Sequence, residues 1–291
     1  MIEYINCLAS NLAVDFIIAG DQPTTRSLAG MRDQLSVQVF PMLNLTTFDL
    51  LNDKWRFFSL CKQLSIRCPA STLVRTCSEL ASGARRGLYA LPAVAKPLSL
   101  DGNRGVVILE PSNFENAIAS VAYEPIIVQQ FIPGQDVGAS IFAENGEIKA
   151  CVIHRVARAT YRTFRNAEIE AALRKIAKAT CANGILNFDM RLAPNGQVYF
   201  LECNPRVYFK MNLTMLTGLN FAGLGLSRTP SVFPVSPPEG AAVRMPKAIA
   251  ATLPLAWRLT RRDLAMLHYI VSDPIPYIRE SLHIDWEDRS Y

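Results

Sequence analysis

The stretch Gly184 to Arg206, GILNFDMRLAPNGQVYFLECNPR, gathers side chains suited to binding a hard cation and a phosphate. Asp189, Glu202 and Asn204 offer three oxygen donors. Val198 to Leu201 is a short apolar and aromatic run, and Asn187 to Leu192 alternates polar with apolar residues, so both read as strands. Pro194-Asn195-Gly196 between them is turn chemistry, because Asn-Gly tolerates the positive φ that tight connections need. The resulting β-hairpin brings Asp189 near Glu202. Asn204, two residues beyond Glu202, emerges on the same face. Two carboxylates and an amide suit Mg²⁺, which takes few protein ligands and completes its shell with water and phosphate oxygens. Arg206 adds a planar guanidinium able to hold a carboxylate or phosphate through two parallel bonds.

Upstream lie the elements that must position the other half of such a site. Asp53-Lys54 opens a helical stretch with Trp55, Phe58, Leu60, Cys61 and Leu64 at three- and four-residue steps. Leu91 to Pro97 reads as a strand delivering Lys96 just before a proline. A loop containing Gly102 and Gly105 follows, and then the strand Val106 to Leu109. Such a strand fixes the lysine, and the loop can fold backbone N–H groups over phosphates. A Walker A loop would place its lysine after the glycines, at a helix start. Pro125 to Val137 (PIIVQQFIPGQDV) is an apolar strand, a crossing segment, a turn and a further strand.

Taken in order, D-K, K-P with its glycine loop, Q-Q-F-I-P-G-Q-D and Asp189 with E-x-N-P-R resemble the ATP-grasp superfamily over roughly residues 50 to 226. The resemblance is to the carboxylate-amine ligase type, similar to the ATP-binding halves of D-alanine:D-alanine ligase and carbamoyl-phosphate synthase. It implies an α/β (α+β) ATP-grasp fold in four parts: an abbreviated Rossmann-like domain over 1–68, a small subdomain over 69–131, a large subdomain with the metal site over 132–230, and a helical extension over 231–291. It implies ATP and Mg²⁺, with Mn²⁺ as the alternative ion. Lys54 and Lys96 would face the phosphates, Gln129, Gln130 and Ile132 the adenine, and Asp136 the ribose. Asp189, Glu202 and Asn204 would hold metal, and Arg206 would place a substrate carboxylate. The implied reaction passes through an acylphosphate that an amine captures, with ADP and phosphate released. Other readings are a non-catalytic ATP-binding regulator, or an enzyme with a thiol, bicarbonate or phosphoryl acceptor. The sequence departs from the family pattern in two places. No glycine-rich turn follows the first strand, and Gln129 stands where a glutamate is usual.

Composition agrees with a folded protein. The 291 residues are 50% hydrophobic and 19% charged, with a net charge of +5. Seven scattered cysteines show no C-x-x-C spacing, which suggests neither a disulfide framework nor a zinc site. The first residues lack the basic, apolar and small-residue pattern of a signal peptide, and no apolar run reaches membrane-spanning length, so a cytoplasmic setting is expected. The basic residues do not interleave with aromatics as on a nucleic-acid surface. The expected partners are a small carboxylate and an amine, without nucleic acid, and a homodimer is compatible with this reading.

The remaining expectations concern elements. Val14 to Ala19 and Val37 to Pro41 read as strands around a short helix from Thr24 to Leu35, and Glu168 to Cys181 as an amphipathic helix. His154, in the arginine-rich segment 154–162, reads as structural. Tyr208 to Leu226 reads as a helix over the active site, with Lys210 near substrate. The proline-punctuated tail turns helical around Leu255 to Ile270, where Trp257, Arg258, Arg261, Arg262, Leu264 and Leu267 pack on the core in preference to a membrane surface.

Overall fold

The computed structural model describes residues 1–100, 102, 104–227, 235–252, 257–275 and 277. The chain opens with helix α1 (Ile2–Asn11), which precedes strand β1 (Phe16–Ile17), helix α2 (Gln22–Met31), a 3₁₀ turn (Arg32–Gln34) and strand β2 (Gln38–Val39). β1 and β2 pair in parallel, which makes β1-α2-β2 one βαβ unit. Both strands are shorter than their apolar runs suggest. Two helices follow, α3 (Leu45–Asn52) and α4 (Lys54–Gln63). Asp53 separates them, and its carboxylate accepts from Arg56 N at 2.9 Å to cap α4. Asp53→Ala is expected to cost about 1 kcal/mol in urea unfolding, the usual worth of an N-cap, and to loosen the residue that follows, Lys54.

A four-stranded antiparallel sheet comes next, built from β3 (Ser71–Val74), β4 (Ala93–Pro97), β5 (Val107–Leu109) and β6 (Ile126–Gln130) in the order β3-β6-β4-β5. Helices α5 (Cys77–Gly83) and α6 (Phe114–Ala119) cover it over a core that includes Val74, Leu80, Leu109, Ile126 and Val128.

The larger sheet has six strands. β7 (Gln135–Glu144), β8 (Glu147–Ala157) and β9 (Thr160–Phe164) run as a meander, and helix α7 (Ala167–Ala179) then leads to β10 (Gly184–Leu192) and β11 (Val198–Asn204). α7 buries Ile169, Ala172, Leu173, Ile176 and Ala177, a stripe at helical spacing that meets the sheet core with α4.

Two expectations are corrected downstream. Tyr208 to Leu226 is not one helix but two, α8 (Met211–Leu216) and α9 (Phe221–Leu226). Gly218 breaks them with φ +109°, and Asn220 caps the second through Gly223 N at 3.0 Å. The C-terminal extension is not purely helical. Its β12 (Ala242–Arg244) joins the edge of the larger sheet, giving the order β11-β10-β7-β8-β9-β12, before α10 (Pro246–Thr252) and α11 (Arg261–Ser272). α11 starts where Thr260 and Asp263 form a capping box, and the buried Asp263 carboxylate also receives Arg244 of β12, so the helix is tied to the sheet edge. Met266 and Leu267 face inward, whereas Trp257 and Leu264 are exposed. Pro234, Pro254 and Leu255 lie outside the described residues. Among the described residues no helix is long and apolar enough to cross a membrane.

Candidate active site

In the β10–β11 hairpin Asp189 pairs directly with Glu202, and a bulge lies between Asp189 and Met190. The connection is longer than the tight turn read from Asn-Gly: residues 193–197 link the strands, Gly196 alone among them takes positive φ, and Asn195 Oδ1 accepts from Gln197 N at 3.0 Å. Alternation along the strands sorts the side chains. Phe188 and Cys203 point into the core, where the Phe188 ring lies 6.2 Å from Phe57 and 6.1 Å from Phe200. Asp189, Glu202 and Asn204 take the opposite face. There Asn204 Nδ2 donates to Asp189 Oδ2 at 3.0 Å, and Glu202 Oε2 lies 3.2 Å from Lys54 Nζ.

Lys54 arrives as the first residue of α4. Its ammonium donates to Leu100 O at 2.7 Å and its backbone N–H to Leu98 O at 2.8 Å, while Gln22 Nε2 takes the intervening Ser99 O at 2.7 Å. Three consecutive carbonyls at the base of the glycine-bearing loop are thus held by α2 and α4. At the far end Gly105, at φ +72°, lies against Tyr123, whose hydroxyl donates to Gly105 O; a Cβ there would come within 2.9 Å of the ring. Lys96, on β4, is 9% exposed. Burial lowers its pKa, and the negative charge of Glu202 opposes that.

The carboxylate pair has the electrostatics of a cation site. Burial first, and then the nearby Glu202, push Asp189 up to about 6. Burial also acts to raise Glu202, but Lys54 and Lys96 outweigh it and hold this carboxyl below its ordinary value. Two buried carboxylates repel one another unless a cation comes between them, and hard oxygen donors from Asp189, Glu202 and Asn204 fit a divalent ion. Among the described residues no cluster of three or more His, Cys, Asp or Glu side chains converges, so the third donor here is the amide.

These groups open onto a cavity of about 630 Å³ to which both larger sheets contribute. Of the residues expected from sequence, Lys54, Lys96, Asp136, Asp189, Glu202, Asn204 and Arg206 line it. Gln129, Gln130 and Ile132 are not brought to its wall. Gln129 is buried, with Nε2 donating to Ser71 Oγ at 3.2 Å and Oε1 without a partner. Gln130 N–H is taken by Ala70 O, and Ile132 is buried. Asp136 is exposed and pairs with Arg191 at 2.7 Å. Lys210 lines the cavity. Asn187, Met190, Leu201, Tyr208 and Phe209 line it too and were missed, although alternation from Asp189 and Glu202 already puts Asn187 on the site face.

His154 also lines the cavity. It is buried on β8 and stacks on Tyr161, with centroids 4.4 Å apart and 21° between planes. Burial, and then the charge of Lys210, lower its pKa to about 3. In the unfolded chain the imidazole protonates near 6.5, so stability present above that pH is lost as pH falls toward 3. Urea unfolding at pH 7 and pH 5 is therefore expected to show wild type losing about 2 kcal/mol more than His154→Gln.

Residues 122–247 match the family model described as ATP-grasp in the biosynthetic pathway with Ter operon. The chain is 25% identical over 179 residues to the arginine-specific large chain of carbamoyl phosphate synthase from Bacillus subtilis (strain 168), covering 55% of its own length and 17% of that relative's. It thus spans only a small part of such relatives. Among solved structures, L-amino acid ligase from Bacillus licheniformis superposes with a TM-score of 0.60 at 18% identity, over 77% of this chain and 58% of the other. Biotin carboxylase from Campylobacter jejuni, in a complex with β,γ-ATP, gives 0.64 at 15% identity, over 76% and 55%. The chain thus shares the fold of these solved structures, and its residues 122–247 match the ATP-grasp family model.

Proposed function

We propose that the chain binds Mg²⁺-ATP between its four-stranded and six-stranded sheets and uses it to join a carboxylate to an amine. One observation carries this reading. Lys54 from α4, Lys96 from β4 and Asp189, Glu202 and Asn204 from one hairpin converge on a single cavity. Lys54 and Lys96 neutralise the phosphates, and Lys54 exchanges its Glu202 partner for nucleotide as the site fills. Assigning Gln129, Gln130 and Ile132 to the adenine requires them to reach a cavity wall that they do not line here, and assigning Asp136 to the ribose requires Asp136 to release Arg191. Asp189, Glu202 and Asn204 would hold the divalent ion, which when bound would supply neutralising charge for phosphoryl transfer. Arg206 places the substrate carboxylate. Its oxygen attacks the γ-phosphorus as the bond to the β-phosphate oxygen breaks, ADP departs, and the amine then displaces phosphate from the acylphosphate carbon. The protein contributes position and charge, with no protein nucleophile.

The test is ADP release by the purified chain with Mg²⁺-ATP against pooled amino acids, peptides and carboxylic acids, with Glu202→Ala as the blank. Release that depends on one pool and vanishes in the variant is the expected result. ATP binding without stimulation by any pool would reject the ligase in favour of a nucleotide-binding regulator. The biotin carboxylase domain of Hydrogenobacter thermophilus 2-oxoglutarate carboxylase, solved with MgADP and bicarbonate, shares this fold (TM-score 0.61, 16% identity), which makes bicarbonate the second acceptor to try. Hydroxylamine separates the two, because only an acylphosphate yields a hydroxamate.

A further inference from the structure

Helix α11 has two unlike sides. On the inner one Met266 is buried, and Leu267 and Ile270 pack beside it with Leu213 of α8 and Val243 of β12. The outer side carries Arg261, Leu264, His268 and Val271 at three- and four-residue steps, which makes one row along the helix. Trp257 stands four residues ahead of that row and Ile275 four residues beyond it. The apolar members of this face are open: Leu264 is 53% exposed, Ile275 60%, Val271 74% and Trp257 77%.

The charges at the start of α11 run against the helix's own electrostatics. Arg261 and Arg262 are its first two residues, and Arg258 stands just ahead of the N-cap Thr260. These cations crowd the end where the helix dipole is positive, whereas helix stability favours cations at the other end. The nearest acid in sequence does not answer them, because the buried Asp263 carboxylate is taken up by Thr260 and Arg244. Among the described residues no carboxylate lies within ion-pair distance of Arg258, Arg261 or Arg262. Asp273, the other acid between 257 and 275, sits at the opposite end of the helix.

We propose that the outer face of α11, with Trp257 ahead of it, docks on an anionic lipid surface and holds the chain there peripherally. Guanidinium groups would meet headgroup phosphates, the indole would sit at headgroup level, and Leu264, Val271 and Ile275 would reach the acyl boundary. A bilayer suits this row better than a second helix does. Arg261 and His268 interrupt the apolar positions, and a dry helix seam would have to desolvate both, whereas a headgroup layer keeps them wet. The face uses none of the residues that line the nucleotide cavity, so the proposal stands independently of the function proposed above.

Vesicle flotation of the whole chain tests it, with vesicles of phosphatidylcholine alone and of phosphatidylcholine carrying about 30% phosphatidylglycerol. Binding to the anionic vesicles about tenfold tighter or more is expected, with a loss of about tenfold when NaCl rises from about 0.05 M to about 0.5 M. Arg258→Ser combined with Arg261→Ser should weaken binding about tenfold while the urea midpoint stays the same or rises, since cations leave the positive end of the helix. Leu264→Ser combined with Val271→Ser should weaken it about fivefold and remove the part that survives high salt. Equal binding to both vesicle types, binding to neither, or double variants that bind like wild type would overturn the proposal. Sedimentation velocity without lipid supplies the remaining outcome: self-association that the Leu264→Ser, Val271→Ser variant loses would give the face to a second copy of the chain and overturn the lipid assignment.

Discussion

Asp189→Asn is expected to lower ADP release about 10³-fold while leaving the protein at least as stable as wild type. The loss follows from removing one negative charge where charge must be neutralised during phosphoryl transfer, a term worth about two to three orders of magnitude per preorganised group. The stability expectation has the opposite sign for a physical reason. Asp189 titrates near 6 because burial, and then Glu202, disfavour its ionised form, so at pH 7 the folded protein carries an unfavourable charge that an isosteric amide removes. Steady-state ADP release measured beside urea unfolding separates the two. A variant that keeps wild-type turnover would remove Asp189 from the cation site. One that loses both activity and stability would make it a structural residue.

The second large effect is structural. Phe188→Ala should destabilise the chain by about 4 kcal/mol in urea unfolding, within the range for a fully buried aromatic side chain. Phe188 is fully buried between Phe57 of α4 and Phe200 of β11, and its backbone neighbour is Asp189. The same ring therefore joins the helix that begins with Lys54 to the strand that carries a candidate metal ligand. Phe188→Leu, which keeps most of the volume, should cost well under half as much. Equal losses for both variants would mean that contact with the two rings, rather than the volume filled, carries the energy.

The hairpin could be read from sequence because each of its signals is local. Alternation in Asn187 to Leu192 fixed which side chains share a face, and Asp189 does pair with Glu202. What the residues could not supply was the bulge after Asp189 and the five-residue connection, since Asn-Gly fits several loop lengths. Lys54 and Lys96 were legible as lysines at a helix start and in a strand, and the structure brings both to the cavity. His154 was read as structural, because a histidine amid arginines in a strand gives no hint of its neighbour. Its position depends on Gly138 lying opposite, a pairing between strands that composition does not encode. β12 was missed for a similar reason: Ala242–Arg244 is a three-residue edge strand, too short to show a period, and it exists because β9 offers it an edge. The break at Gly218 could have been anticipated, since a glycine followed by Asn220 is a stop and a cap in close succession.

The two anchorages of the glycine-bearing loop set its mechanical reach. Gln22 and Lys54 grip Leu98 through Leu100, and Tyr123 grips Gly105, which leaves four residues of sequence between the clamps. The clamps tie both ends of that segment to α2, to α4 and to Tyr123, so a change at Gln22 or Tyr123 would reach the cavity through backbone carbonyls without altering one of the charges that line it.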